Sequence, residues 1–362
     1  MNRRPYLDWL RGIAVLIMIE GHTLDSWTRV ADKESAWYRW AIVLAGFGAP
    51  FFLFLAGITL MLAAGGRLRK GLARSEVTRV AVRRGLWILA LAFLFRLQSY
   101  LISGGQFPQS LLKVDILNVI GVAMIAGAVG WGVARTLTHK LLLFAAVTVA
   151  VAMLTPIVRT TTLLDVLPDV VEAYFRPRPG RTTFTLFPWA AFFAAGCVAG
   201  ALLDSREAVA DRSLMRWFAL AGLVVGLGGY ATSFLPPIYA ETAFWTSSPT
   251  FFFLRLGVLL LFVAAAYGLS RIWRWEPLQE FGRASLFVYW VHVELVYGVL
   301  STPLHRRLPF AVAVVAFGAF SFAMFGLVKL KAVVQKGRPT QAAVHDRAPS
   351  FPASGSVPRD ST

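Results

Sequence analysis

Leu7-Asp8-Trp9-Leu10-Arg11-Gly12 runs directly into Ile13-Ala14-Val15-Leu16-Ile17-Met18-Ile19-Glu20-Gly21-His22, and the reading of this stretch decides the fold. The apolar run is long enough to open a membrane helix, yet Asp8, Arg11, Glu20 and His22 lie in or beside it. Ionisable groups in a membrane helix are costly and face the protein interior or a wet cavity, so by default they mark a site. Arg11 and His22 are eleven positions apart, roughly three helical turns and about 16 Å along the axis. Asp8, Arg11, Val15, Met18, His22 and Asp25 therefore share one face, and Glu20 falls on the opposite one. That face offers a cation near one membrane surface and an imidazole about halfway across or beyond it.

The rest of the chain agrees with a membrane reading. Of its 362 residues 57% are hydrophobic and only 15% charged, against about a quarter charged in soluble domains. Apolar runs recur at 7–27, 40–64, 81–102, 115–134, 139–157, 185–204, 214–235, 250–271, 284–301 and 308–329. Each is near the ~20 residues that cross a bilayer. The expected fold is thus all-α: a polytopic membrane protein, one helical bundle of about ten transmembrane spans. The net charge of +17 would suggest nucleic acid in a soluble protein. Here it follows from topology, and no nucleic-acid partner is expected. Alternate loops are basic, most of all the run from Arg67 to Arg84, and the other loops are poorer in Lys and Arg. An even number of spans with this asymmetry puts both termini in the cytoplasm. Arg3 and Arg4 ahead of an apolar run resemble a signal peptide, but Asp8 and Arg11 interrupt it and no small-x-small site follows, so an uncleaved span is expected. Residues 1–338 read as one transmembrane domain, and the polar stretch 339–362 as a disordered cytoplasmic tail. The lone Cys197 excludes an internal disulfide. No Cys/His cluster has metal-ligand spacing, so no metal is expected. No internal repeat of the kind that builds many transporters is evident.

Several polar residues in the spans are candidates for chemistry. A neutral imidazole at His22 is able to take a proton from an acceptor or to carry an acyl group covalently; the plain alternative is a histidine hydrogen-bonded within the bundle. Asp115 and Asn118 are neighbours on the fourth span at roughly the depth of His22. Asp115 either orients that imidazole or caps its own helix. Ser285, Tyr289 and His292 form a polar stripe on the ninth span, lining the same cavity or bonding between helices. Arg96 and Arg255 either bind an anionic group or pair with Asp115 or Glu241. The basic run Arg67–Arg84 either attracts a polyanion such as the phosphates of coenzyme A or reflects topology alone. The proline- and glycine-rich loop at 158–184 either caps an outward-facing cavity or is a plain connector. In Gly46–Gly57, small residues permit close helix approach and Pro50 either kinks or starts a helix.

Leu7-Asp8-Trp9-Leu10-Arg11-Gly12 with His22, Phe51-Phe52-Leu53-Phe54-Leu55-Ala56-Gly57, Asp115-Ile116-Leu117-Asn118-Val119-Ile120-Gly121, Phe187-Pro188-Trp189 with Gly196, Ser248-Pro249 with Arg255, and Gly282-Arg283-Ala284-Ser285-Leu286 with Tyr289 and His292 occur in this order. Together they resemble the bacterial branch of the heparan-α-glucosaminide N-acetyltransferase catalytic-domain family of transmembrane acyltransferases, over about residues 4 to 330. The spacing from Arg11 to His22 is also similar to that of membrane O-acyltransferases that decorate surface glycans. The resemblance implies an integral protein of a bacterial-type cytoplasmic membrane that takes an acetyl group from cytoplasmic acetyl-CoA. The acceptor would be a sugar amine or hydroxyl on the far side. Acetyl-CoA would be a co-substrate, with no bound cofactor; the other partners would be the glycan acceptor and the lipid bilayer, and a homodimer is compatible with the sequence. His22 would be catalytic and Arg11 would lie where the donor enters. Asp115, Asn118 and His292 would orient groups or stabilise charge, while Asp8, Arg11, Arg96, Arg255, Ser285 and Tyr289 would bind substrate. The alternatives from other classes are a transporter or flippase for a small anion or glycan lipid, using the same cavity without chemistry, and a non-catalytic membrane scaffold.

Overall fold

The computed structural model describes residues 4–103, 107–206, 211–273 and 275–336. The expected tail, 339–362, lies outside the described residues. The helices are, in chain order, α1 (Pro5–Trp27), α2 (Ala36–Ala45), α3 (Gly48–Arg69), α4 (Arg74–Ser103), α5 (Ile116–Val133), α6 (Leu137–Thr160) and α7 (Asp169–Glu172). They continue as α8 (Leu186–Asp204), α9 (Asp211–Thr232), α10 (Pro249–Ile272), α11 (Glu276–Arg283), α12 (Ser285–Tyr297) and α13 (Phe310–Lys336). No strand occurs among the described residues, only two isolated bridges. The protein is an all-α polytopic membrane protein.

Among the described residues, eight stretches are long and apolar enough to cross a membrane: α2 with α3 as one, then α4, α5, α6, α8, α9, α10 and α13. The two further spans expected from sequence are α1 and α12, and each departs for a physical reason. The 23-residue α1 carries Asp8, Arg11, Glu20 and Asp25. At 13 residues α12 is about 20 Å long, short of the ~30 Å hydrocarbon core. It is cut off by a break at Ala284 and by extended backbone at Gly298. Both helices survive because they lie against the rest of the bundle rather than lipid. Most of α1 is buried, and Val288, His292 and Val296 of α12 face inward. Lipid-facing surfaces are supplied by the outer helices, where Leu142, Val224, Val315 and Phe322 are exposed.

The closest helix contact is between α3 and α8. A methyl group on Gly57 would lie 2.1 Å from the Phe193 carbonyl oxygen, and one on Gly196 would lie 2.0 Å from that of Phe54. Only glycine permits that approach, the usual device where apolar lipid gives helices no hydrophobic reason to associate. The continuous second span expected over 40–64 is broken at Gly46-Phe47. Pro50 sits in the first turn of α3, where its missing N–H removes no helical bond, so it starts the helix. The segment at 276–283, expected only as a basic loop, is the amphipathic α11, which buries Leu278, Phe281 and Gly282. It lies on α1: a methyl on Gly12 would meet the Leu278 carbonyl oxygen at 2.1 Å, and one on Gly282 that of Asp8 at 2.1 Å.

We call the end of the bundle where α1 begins the near end, and the other the far end. At the near end Arg4 Nε donates to Asp211 Oδ2 at 2.7 Å and Tyr6 Oη donates to the same carboxylate at 3.0 Å, joining α1 to α9. At the far end the backbone N–H groups of Arg306 and Leu308 donate to Ser26 O and Trp27 O, each at 2.9 Å. The far-end loop at 158–184 is folded, not a slack connector. Its buried Glu172 takes Arg176 and Arg178, and Thr183 N donates to Val114 O at 2.8 Å. The loop thus lies over the start of α5.

Candidate active site

His22 is just over one turn from the far end of α1, and its neighbour Gly21 packs directly on Ala45 at the end of α2. Its Nδ1 is 2.8 Å from Nε2 of His292 on α12. The two rings are parallel to within 4°, with centroids 5.1 Å apart. A ring radius on either side of the 2.8 Å contact accounts for that separation. The imidazoles therefore meet edge to edge in one plane, not face to face, which is the orientation an sp² nitrogen lone pair needs to accept a hydrogen bond.

The partners assign the protons. His292 Nδ1 is 2.8 Å from Val288 O, and a carbonyl oxygen only accepts, so this nitrogen carries the hydrogen. In a neutral ring Nε2 is then bare and accepts from Nδ1–H of His22. The free lone pair of the pair consequently sits on His22 Nε2. His292 is fully buried while His22 remains partly accessible. One ring is sealed and orients; the other can meet a ligand. This is the logic of a carboxylate–histidine pair with a neutral imidazole in the carboxylate's place. Tyr297 packs its edge against His22, centroids 5.5 Å apart, and its hydroxyl donates to Asp25 at 3.4 Å.

The structure brings only some of the sequence candidates together. His22 and His292 are in contact, and Tyr289 lies 6.0 Å from the His292 ring, centroid to centroid. Ser285 is the first residue of α12, about two turns below His292. Asp115 and Asn118 stand elsewhere. Asp115 caps α5: its carboxylate accepts from Leu117 N at 3.0 Å, and Asn118 Oδ1 accepts from Asp115 N at 3.1 Å. Arg96 Nη2 is 2.9 Å from Asp115 Oδ2. Of the two readings of Asp115 the cap is observed, and the partner of His22 is the histidine instead. Arg255 lies over the ring of Phe251, 4.0 Å from its centroid, with Nε buried and unbonded. Tyr297 was not singled out in the sequence; its signal was the aromatic five residues after His292, readable only once both were placed beside α1.

At the near end Asp8 is buried between two arginines, 3.2 Å from Arg11 Nη1 and 3.6 Å from Arg283 Nε. Arg283 also lines a cavity of about 710 Å³ beside the start of α1. Arg4, Arg271, Tyr6, Tyr267 and Ser270 contribute to its wall, together with Asp211, Glu276 and Glu280. Between this region and His22, the shared face of α1 is closed: Val15 and Met18 pack with Phe281, Val288, Met324 and Val328.

If His292 sets the tautomer of His22, His292→Gln should lower turnover by about 10²-fold, within the range of lost proton-transfer catalysis. Steady-state kinetics on His292→Gln beside the wild type would check this, and an unchanged turnover would remove His292 from the site.

The helical membrane bundle thus holds a histidine pair near one end and, at the other, a polar cavity walled by three arginines and three carboxylates. The family model for the acyltransferase domain matches residues 4–328, and the chain belongs to that family. It is a membrane acyltransferase. No curated protein matches the chain significantly.

Proposed function

We propose that the protein moves an acetyl group from acetyl-CoA, entering from the cytoplasm at the near end, to a sugar amine or hydroxyl on the extracytoplasmic side. Both termini are cytoplasmic in this reading, which the basic loops of the near end support. The sequence resemblance to the heparan-α-glucosaminide N-acetyltransferase catalytic domain supports the donor and the acceptor class. The observation that carries the proposal is the contact of the partly accessible His22, through Nδ1, with Nε2 of the sealed His292, whose Nδ1 lies on Val288 O; it leaves His22 Nε2 to meet a ligand.

In the reaction, His22 Nε2 takes the proton from the acceptor N–H or O–H as that atom attacks the acetyl carbonyl carbon. The C–S bond breaks, and the proton returns from His22 to the departing coenzyme A thiolate. The imidazolium formed on the way keeps its Nδ1–H···Nε2 bond to His292. The cations Arg271 and Arg283 at the near-end cavity suit the phosphates of the donor. The span of about 16 Å from Arg11 to His22 suits an extended thioester arm. The packing of Val15 and Met18 against α12 and α13 means that α12 or α13 must move aside for that arm to pass.

The test is radiolabelled acetyl-CoA with the purified full-length protein in detergent, without acceptor. Slow release of free coenzyme A with no label retained on the protein is the expected result for a histidine base. Label retained on the protein at His22 would replace direct transfer by a covalent acetyl-histidine. Neither turnover nor protection from heat by coenzyme A would overturn the proposal.

A further inference from the structure

A second polar cavity, of about 340 Å³, opens at the far end between the last turns of α4, the segment leading into α5, and Gly180. Its volume is at the low end for small-molecule sites, enough for a short saccharide unit. Its wall is polar and cationic. Arg96 and Lys113 supply two positive charges. Asp115 offsets one of them through the contact at 2.9 Å. That contact is an ion pair and not an aligned hydrogen bond, since Asp115 Oδ2 has no hydrogen-bond partner. Arg96 Nε and Gln109 Oε1 are also buried without partners. Unbonded buried polar groups are costly, and both belong to residues lining this cavity. Ser99, Ser110 and Tyr100 add hydroxyls. Burial and, after it, the Arg96 charge push the Lys113 ammonium below its ordinary pKa, a strain that a bound anion would relieve.

Packed aromatic rings connect the wall of this cavity to the histidine pair. Phe95, next to Arg96, packs on Tyr289 and Trp290 of α12, with centroids 5.7 Å and 5.3 Å apart. Tyr289 in turn faces His292. Trp290 Nε1 donates to Gln98 at 2.8 Å, fixing α4 to α12 at this level.

We propose that this cavity is the subsite for an anionic, hydroxyl-rich acceptor: a sugar carrying a carboxylate or a phosphate. Arg96 and Lys113 hold the anionic group, and Gln109, Ser99 and Ser110 bond the ring hydroxyls. The proposal deepens the acyl-acceptor reading and rests on it.

The test is ligand-induced thermal stabilisation of the full-length protein in detergent at fixed ionic strength, with glucuronate, glucose 6-phosphate and glucose as probes and no acyl donor. Either anionic sugar should half-saturate at roughly tenfold lower concentration than glucose. Lys113→Gln should raise the anion's half-saturating concentration by about five- to tenfold, the effect of losing one partly buried ion pair, and leave the weak glucose response as it was. Ser110→Trp, which fills the cavity without touching the ion pairs, should abolish all three responses. Equal responses to charged and neutral sugars, no response, or a Lys113→Gln protein that binds anions normally would each overturn the subsite. Thioester turnover measured on the same preparation separates the two readings. Anion binding without turnover sinks the acetyl-transfer reaction and leaves the subsite, whereas turnover without anion binding does the reverse.

Discussion

His22→Ala should cut acyl transfer by about 10³-fold or more, the scale of a lost general base with its positioning, while the protein stays folded. His22 is only partly buried, and its side chain bonds His292 and packs on Tyr297. Truncation therefore leaves a small opening at an already accessible place. The cost that remains is the bare Nε2 of His292, which loses its donor. His22→Gln should restore thermal stability toward the wild type, because an amide N–H can again donate to that nitrogen, but should not restore turnover, because an amide accepts no proton at neutral pH. Turnover and melting temperature measured on both variants separate the chemical role from the structural one. A His22→Ala protein that is folded and transfers the acyl group at the normal rate would remove His22 from the chemistry.

The other large effect should be on stability. Gly196→Ala should lower the melting temperature by several degrees, from a loss of roughly 2–3 kcal/mol typical of overpacking a tight contact. The added methyl would meet the Phe54 carbonyl oxygen at 2.0 Å. That oxygen belongs to the α3 backbone and cannot swing away as a side-chain tip would, so α3 and α8 must separate. Gly57→Ala should behave alike from the opposite side, through the Phe193 carbonyl at 2.1 Å. The two should be less than additive, since one separation relieves both clashes. Gly318→Ala provides the control: nothing lies within 4 Å of its added methyl. Thermal melts of the three variants would check this, and a Gly196→Ala melt equal to that of Gly318→Ala would contradict the contact.

The fold was legible because lipid imposes a plain pattern: long apolar runs become helices, and charge marks the loops. It failed where that pattern has competing causes. The α11 segment is too short and polar to register as a span, and its burial depends on Gly12 allowing it onto α1. The ninth span looked long in sequence because apolar residues continue through Val299 and Leu300, although the backbone leaves the helix at Gly298. Within the site, the face bearing Arg11 and His22 followed from helical spacing alone. The partner of His22 did not, because the sequence places His292 on a stripe but gives no register between two helices 270 positions apart. A carboxylate was the natural expectation for an orienting group, and Asp115 lay at a suitable depth. Its place at the first residue before α5 gave it a cap to make, and Arg96 took its remaining charge.

An orienting imidazole in place of a carboxylate has an electrical consequence. With both rings neutral, the resting pair carries no charge for the transmembrane potential to act on. In the proposed reaction His22 alone takes up and returns the proton, and even a displacement as long as the 5.1 Å between the ring centroids is a small part of the ~30 Å hydrocarbon thickness. At 100 mV that displacement is worth at most ~0.4 kcal/mol, about a factor of two in rate. The proton-transfer step proposed for this pair should therefore respond to the membrane potential by no more than that factor.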